Sequence, residues 1–170
     1  MNFQIITILL FLSSHTQKDF LLSPKHVGSL SVGSYVEGIY HSFDKEKETQ
    51  LIDRYFEASF SPALTVTKNG ELLFYANIDC NKIRSFEIVS PKFKTMKGIS
   101  VGSSYADLKK IYKVTAIENQ EGIFYASVKE LEMLFMLDPE KMLNNKKGFS
   151  QDLSVNDVEG TVKLTSIIIY

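Results

Sequence analysis

Tryptophan is absent from this chain and cysteine occurs once, as Cys80. A single cysteine excludes an internal disulfide, so the fold has to be held by its apolar core. It also excludes paired-cysteine zinc sites, and the three histidines, His15, His26 and His41, lack the H-x-x-x-H spacing that could replace them. Beside Asp79 the thiol has no activating cation, so Cys80 reads as structural. An excess of one charge is missing too: 19 Lys and Arg stand against 20 Asp and Glu, for a net charge of −1. Nucleic acid normally demands a basic face and an anionic membrane a polybasic patch, so neither is an expected partner. No apolar run reaches the roughly 20 residues of a membrane-spanning helix.

The opening residues form a shorter run. Ile5, Ile6, Ile8, Leu9, Leu10, Phe11 and Leu12 are followed by Ser13, Ser14, His15 and Thr16, with Ser14 and Thr16 at the small-residue positions before a cut near Gln17. Residues 1–17 therefore read as a signal peptide, which places the mature protein in the periplasm or the medium of a bacterial cell. Its leading segment has no Lys or Arg, and a buried first strand is the competing reading.

What is present is a near-repetition. Leu30-Ser31-Val32-Gly33-Ser34 returns as Ile99-Ser100-Val101-Gly102-Ser103. After the first copy, Val36, Ile39, Tyr40 and Phe43 are spaced i, i+3, i+4, i+7, and Ser34 with Glu37 has the spacing of a capping box. After the second, Tyr105, Leu108, Ile111 and Tyr112 line a helix face, with Ser104 and Asp107 as the capping pair. Alternating runs follow each helix. Ile52, Phe56, Ala58 and Phe60 predict one strand, ended by Pro62; residues 64–66 begin another, and Asn69-Gly70 is a two-residue hairpin signal before Leu72, Phe74, Ala76 and Ile78. A turn at residues 79–81 precedes a strand over 83–89. The second half predicts strands over 114–118, 123–128, 131–137 and 162–170, the last central because it is so apolar. Residues 138–160 lack alternation and read as a long excursion with a short helix.

The expected fold class is thus α+β: two tandem helix-plus-antiparallel-sheet repeats, residues 18–92 and 93–170, with helices packed on one face of the sheets. Ser90-Pro91-Lys92-Phe93-Lys94-Thr95 and Gly98-Ile99-Ser100-Val101-Gly102-Ser103-Ser104-Tyr105-Ala106-Asp107-Leu108 also resemble the opening of repeats in small secreted bacterial proteins. These are similar to the β-lactamase-inhibitor-protein-like (BLIP-like) fold and to the small lipoprotein of the outer-membrane β-barrel assembly machinery. The resemblance implies a binding module, inhibitor or envelope scaffold. It covers residues 28–43 and 90–112; the first copy is one residue shorter before its helix and carries Gly38 inside it.

Catalytic chemistry finds little support. Gly98-Ile99-Ser100-Val101-Gly102 matches the G-x-S-x-G nucleophile elbow letter for letter, but an elbow lies between a strand and a helix of a large α/β sheet. A small serine hydrolase built around Ser100 is the alternative this leaves. The two loops lack the lysine of a Walker loop. Asp152, Asn156, Asp157 and Glu159 miss the frame of a calcium loop. No catalytic, cofactor or metal residue is therefore expected. The eight Tyr and twelve Phe are plentiful, and Leu73 with Tyr75, and Ile123 with Tyr125, alternate outward from core positions. Those four are the expected contact residues for a partner, another protein or an envelope component, on a sheet face or on the 138–160 loop.

Overall fold

Antiparallel strand pairing dominates the computed structural model, which describes residues 19–42, 47–56, 59–143 and 153–170. Residues 1–17, expected to direct export, lie outside the described residues. Four very short strands form a small sheet: β1 (Leu21–Ser23), β2 (His26–Val27), β3 (Leu30–Ser31) and β8 (Lys94–Thr95), in the order β3-β2-β1-β8. The large sheet has eight strands. β4 (Lys47–Phe56), β5 (Ser59–Lys68), β6 (Glu71–Asp79) and β7 (Lys82–Ile88) run as one antiparallel meander. A second is made by β9 (Ala116–Gln120), β10 (Ile123–Val128), β11 (Met133–Leu137) and β12 (Leu164–Ile169). The last strands of the two meanders pair, giving the order β4-β5-β6-β7-β12-β11-β10-β9.

Local chemistry explains the hairpins. Asn69 and Gly70 have φ of 53° and 75°, Cys80 and Asn81 47° and 62°, Glu121 and Gly122 53° and 89°. Two successive residues with positive φ make the turn whose twist matches that of the flanking strands. Only the first and last of these use glycine; at Cys80 and Asn81 the sheet on either side holds two non-glycine residues in the left-handed region.

The repeated loops make matching contacts. The Gly33 amide donates to the Ile83 carbonyl and the Ile83 amide to the Ser34 carbonyl, at 2.7 and 2.9 Å. The Gly102 amide likewise donates to Leu164 and the Leu164 amide to Ser103, at 2.8 and 2.9 Å. Each loop thus closes onto the first residues of the strand that ends its own half. Gly33 and Gly102 share a left-handed backbone, φ 85° and 86°, which lets the chain turn from this contact into the next element.

The α+β expectation is overturned, because the protein is mostly β. Among the described residues the helices are one or two turns long: α1 (Glu37–His41), α2 (Tyr105–Ile111) and α3 (Pro139–Leu143). They are short because the residues before them are held by strands. In the first copy the Val36 amide donates to Asn81, and the Ser34 hydroxyl donates to the Ser31 carbonyl at 2.7 Å instead of capping a helix. Val36 is the N-cap and has no side-chain cap; Glu37 instead accepts from Asn81 Nδ2, which lowers its pKa. Of the expected apolar stripe Ile39 is buried, Val36 is half-buried and Tyr40 is 54% exposed, while Phe43 lies outside the described residues. At α2 the capping box does form, with the Asp107 amide donating to Ser104 Oγ at 3.1 Å and the Ser104 amide to Asp107 Oδ2 at 3.2 Å. The strand expected to run to Pro62 also divides. β4 ends at Phe56, and Pro62 lies within β5, opposite Asp53, where β6 does not yet pair with it. Its missing amide therefore costs no ladder bond on that side.

The core lies on one face of the large sheet. Phe74, Ala76, Phe86, Ile88, Phe124, Ala126, Phe135, Ile167 and Ile169 pack there against Leu22, Ile39, Phe93, Ile99, Tyr105 and Leu108. Phe74 meets Phe86 and Phe93 edge-on at 5.8 Å each, and Phe20 meets Phe93 at 5.0 Å, so aromatic contacts tie the small sheet to the large one. The end of the 138–160 segment is packed rather than open: Leu153 and Val158 are buried, and the Tyr105 hydroxyl donates to the Val155 carbonyl at 2.7 Å.

Two outcomes are expected from this packing. Gly102→Ala places a side chain in the left-handed region and costs about 1–2 kcal/mol, whereas Gly38→Ala, whose new Cβ meets only Leu30 Cδ2 at 3.7 Å, stabilises by up to about 1 kcal/mol. Thermal melts of the two variants will move in opposite directions. Burial pushes the Tyr105 phenol up from 10.0 to about 12. Between these values the folded chain keeps a proton that the unfolded chain has lost, so the stability contributed by the neutral phenol is complete below pH 10 and lost as pH rises to about 12. Ultraviolet titration will show a phenol titrating near 12 that is absent from Tyr105→Phe.

Candidate functional site

Strand alternation gives the large sheet a second face, opposite the core. Across it run Gln50, Thr65, Tyr75, Glu87, Ile168, Leu134, Ser127 and Ala116, each beside the next in register. A parallel row holds Ile52, Ala63, Asn77 and Ser85. Ala63, Asn77, Ser85, Ser166 and Ile168 are buried although none belongs to the contiguous core.

This face is concave at the β4 end. On a flat sheet Arg54 and Glu87, three strands apart and displaced along them, would have Cα atoms about 20 Å apart. Yet Arg54 Nη1 lies 2.6 Å from Glu87 Oε2, and its guanidinium carbon sits 3.9 Å above the Tyr75 ring. An arginine side chain cannot span that gap, so the β4–β5 hairpin curls over the face. Ladder irregularities supply the bend: register shifts occur at Val66/Thr67 between β5 and β6 and at Asn77/Ile78 between β6 and β7. A bulge adds twist and bends its strand.

Under the curl, polar groups are enclosed. The Arg54 and Glu87 side chains are 21% and 12% exposed, which makes this the most sheltered ion pair among the described residues. Asn77, 1% exposed, donates from Nδ2 to Ser85 Oγ at 2.9 Å. Its Oδ1 is buried with no donor among the described residues. A buried amide oxygen left without a donor is uncommon in folded proteins and costs about 1–3 kcal/mol. The hollow thus combines a stacked cation, a carboxylate, an aromatic ring and an acceptor in want of a proton donor.

Of the four residues expected to meet a partner, Tyr75, Ile123 and Tyr125 lie on this face, and Leu73 does not. Leu73 is fully buried in the core because it is the extra residue of the bulge opposite Val66/Thr67, where its carbonyl accepts from both Val89 and Ser90. Two consecutive residues, Leu73 and Phe74, therefore point inward, which strict alternation cannot anticipate. Tyr125 is on the expected side but only 8% exposed. Ile123 is 38% exposed at the β9–β10 turn. Tyr75 and Tyr125 lie four strands apart, about 19 Å on the sheet, so the four do not form one patch. Arg54, Asn77, Ser85 and Glu87 escaped the sequence reading. The one signal that could have found them is a polar residue inside an apolar strand, as at Asn77 and Glu87.

The serine loop has a different arrangement from a nucleophile elbow. The Ser100 amide donates to Ser103 Oγ at 3.1 Å and the Ser103 amide to the Ser100 carbonyl at 3.1 Å, closing a turn that leads onto β12. Among the described residues no histidine or carboxylate is hydrogen-bonded to the Ser100 hydroxyl. Cys80 is exposed at the β6–β7 turn; its thiol donates to Asp79 Oδ1 at 3.4 Å, and that bond and the carboxylate charge raise its pKa. It is held in the unreactive protonated form. Among the described residues no three His, Cys, Asp or Glu side chains come together as a metal site, and no helix is long and apolar enough to cross a membrane. In the 153–160 stretch Asp157 accepts from the Ser154 amide at 2.8 Å and Asn156 from Lys109 Nζ at 3.1 Å, so both serve local turns and the contact with α2.

Comparison with known proteins bears on the fold alone. No protein family matches the sequence, and no curated protein matches it either. Among solved structures, the crystal structure of the uncharacterised protein yfeY from Escherichia coli is similar, with a TM-score of 0.61 at 13% identity. The match covers 87% of this chain and 97% of that one, so the two share their architecture over nearly the whole of yfeY.

The ion pair makes a measurable prediction. Glu87→Leu leaves a sheltered guanidinium without its carboxylate and costs about 2–3 kcal/mol in denaturant unfolding; Glu87→Leu with Arg54→Leu recovers more than half of that loss. A double variant as unstable as the sum of the singles would show that the two side chains are not coupled.

Proposed function

We propose that the protein is an exported binding protein of the bacterial cell envelope that takes a protein partner on the concave face of its large sheet. The observation that carries this reading is the concave face at Arg54, Tyr75 and Glu87, where a cation is stacked on a ring beside a carboxylate. Tyr75 and the stem of Arg54, fixed by their mutual stacking, offer a partner contact area with little rotamer freedom left to lose. Leu134 and Met136, half-buried on the same face, extend the surface with apolar and adaptable side chains. The apolar run in residues 1–17 supports export, and the likeness of the 30–34 and 99–103 loops to those of secreted binding modules supports recognition rather than catalysis.

Site-specific photo-crosslinking in intact cells tests it. A photoreactive residue at Thr65 or Met136, on the concave face, is expected to trap one discrete partner, and the same residue at Lys110 on α2 is not. Tyr75→Ala should reduce the adduct about tenfold, the loss for one buried aromatic anchor. Absence of adducts at Thr65 and Met136, or identical adducts at Lys110, would remove the concave face as the binding surface. Fractionation finding the protein in the cytoplasm would remove the envelope reading.

A further inference from the structure

Among the described residues β4 pairs on one side only, with β5, and forms an edge of the eight-stranded sheet. It is an unusual edge. Protected edges are short, bulged, interrupted by proline or charged, and the charges of β4 lie toward its ends, Lys47 with Glu48 and Asp53 with Arg54, leaving residues 49–52 uncharged. β4 has ten residues in unbroken register with β5 and contains neither a bulge nor a proline.

Which peptide groups face outward follows from its side-chain bonds. Thr65 Oγ1 donates to the Gln50 carbonyl at 3.2 Å and Thr67 Oγ1 to the Glu48 carbonyl at 3.5 Å, both from β5. Because peptide groups alternate along a strand, those of Thr49, Leu51 and Asp53 point away from the sheet. At the centre of this outward set Leu51 is 64% exposed.

We infer that the protein self-associates by antiparallel pairing of β4 with β4 of a second copy, with Leu51 on the two-fold axis. In that register Leu51 lies against Leu51 of the second copy and Thr49 against its Asp53, and each pair exchanges two backbone hydrogen bonds. On the concave side Glu48 comes beside Arg54 of the second copy, and Gln50 beside its Ile52. The guanidinium stays over Tyr75 beside Glu87, and Glu48 of the second copy brings an opposite charge to the outer side of the same residue. A shift of two residues in one direction sets Glu48 against Ile52, and in the other sets Leu51 against Asp53; both place a charge on an apolar side chain. Charge and exposure thus select one register. The two sheets become continuous and their concave faces open on the same side. This inference stands on the β4 edge and is separate from the partner proposed for the concave face.

Sedimentation analysis of the protein between about 1 μM and 1 mM, the range over which weak interfaces dissociate, is the test. A concentration-dependent monomer–dimer equilibrium is expected. Leu51→Pro removes an outward amide and leaves the β5 ladder intact, so it should give a monomer with an unchanged far-ultraviolet circular dichroism spectrum; Leu51→Lys serves if the proline variant does not fold. Glu48→Lys, facing Arg54 of the second copy, should weaken the dimer at least about tenfold. Register is read by cysteine: Leu51→Cys in a Cys80→Ser background should oxidise to a covalent dimer, since directly opposed residues have Cα atoms about 5.5 Å apart, and Thr49→Cys should not. A monomer at every concentration, a dimer that survives Leu51→Pro, or cross-linking through Thr49→Cys in preference to Leu51→Cys would overturn it.

Discussion

The pairing of β7 with β12 carries the architecture. Phe86, Glu87 and Ile88 lie opposite Ile169, Ile168 and Ile167, and this junction turns two four-stranded meanders into one sheet. Four of those side chains, Phe86, Ile88, Ile167 and Ile169, are completely buried. If the junction opened, each meander would expose a ladder of unpaired amides and carbonyls together with a stripe of isoleucine and phenylalanine. The loops at Gly33 and Gly102 dock on the starts of these same two strands. They set where β7 and β12 begin, and thereby their alignment with each other.

From this junction outward the sheet coils, and its bulges are placed to make it do so. Shifts at Val66/Thr67, Asn77/Ile78 and Met136/Leu137 interrupt otherwise regular ladders on both sides of the centre. A flat sheet of this width would leave Arg54 far from Glu87. Coiling brings them into contact, puts Tyr75 beneath the guanidinium and shuts Asn77 and Ser85 away from solvent. The candidate site is therefore a consequence of curvature more than of any local motif. Its polar groups stabilise the fold only as a set, since the ion pair, the stacked ring and the amide–hydroxyl pair each depend on the same bend.

The helices illustrate how tertiary contacts outrank periodicity. Val36, Ile39, Tyr40 and Phe43 have the spacing of an amphipathic helix, but Gly33 and Val36 donate their amides to Ile83 and Asn81 before such a helix can begin. Ser34, spaced to cap it, bonds back to Ser31. In the second copy the Gly102 and Tyr105 amides make the matching bonds, to Leu164 and Val162, yet the box forms, because Ser104 stands where the first copy has Tyr35. The strand contacts are alike in both copies, and the side chain at the cap position decides which helix is capped. The balance of helix and sheet that this decides makes the protein mostly β.

Local chemistry was sufficient for the turns and for several strands. Asn69-Gly70 and Glu121-Gly122 adopt the backbone that glycine in such pairs favours, the strand at residues 123–128 lies where its alternation placed it, and the apolar run after Val162 became a central strand because only a central strand buries both faces. Each of these depends on neighbours within a few residues. Non-local geometry decided the rest. Leu73 is inside because a bulge facing a different strand shifted it by one, Pro62 sits within a strand because its missing partner is elsewhere, and Arg54 reaches Glu87 because the whole sheet bends between them. A chain encodes its alternation locally, but a sheet's curvature is the sum of all its twists and bulges, and no single segment contains it.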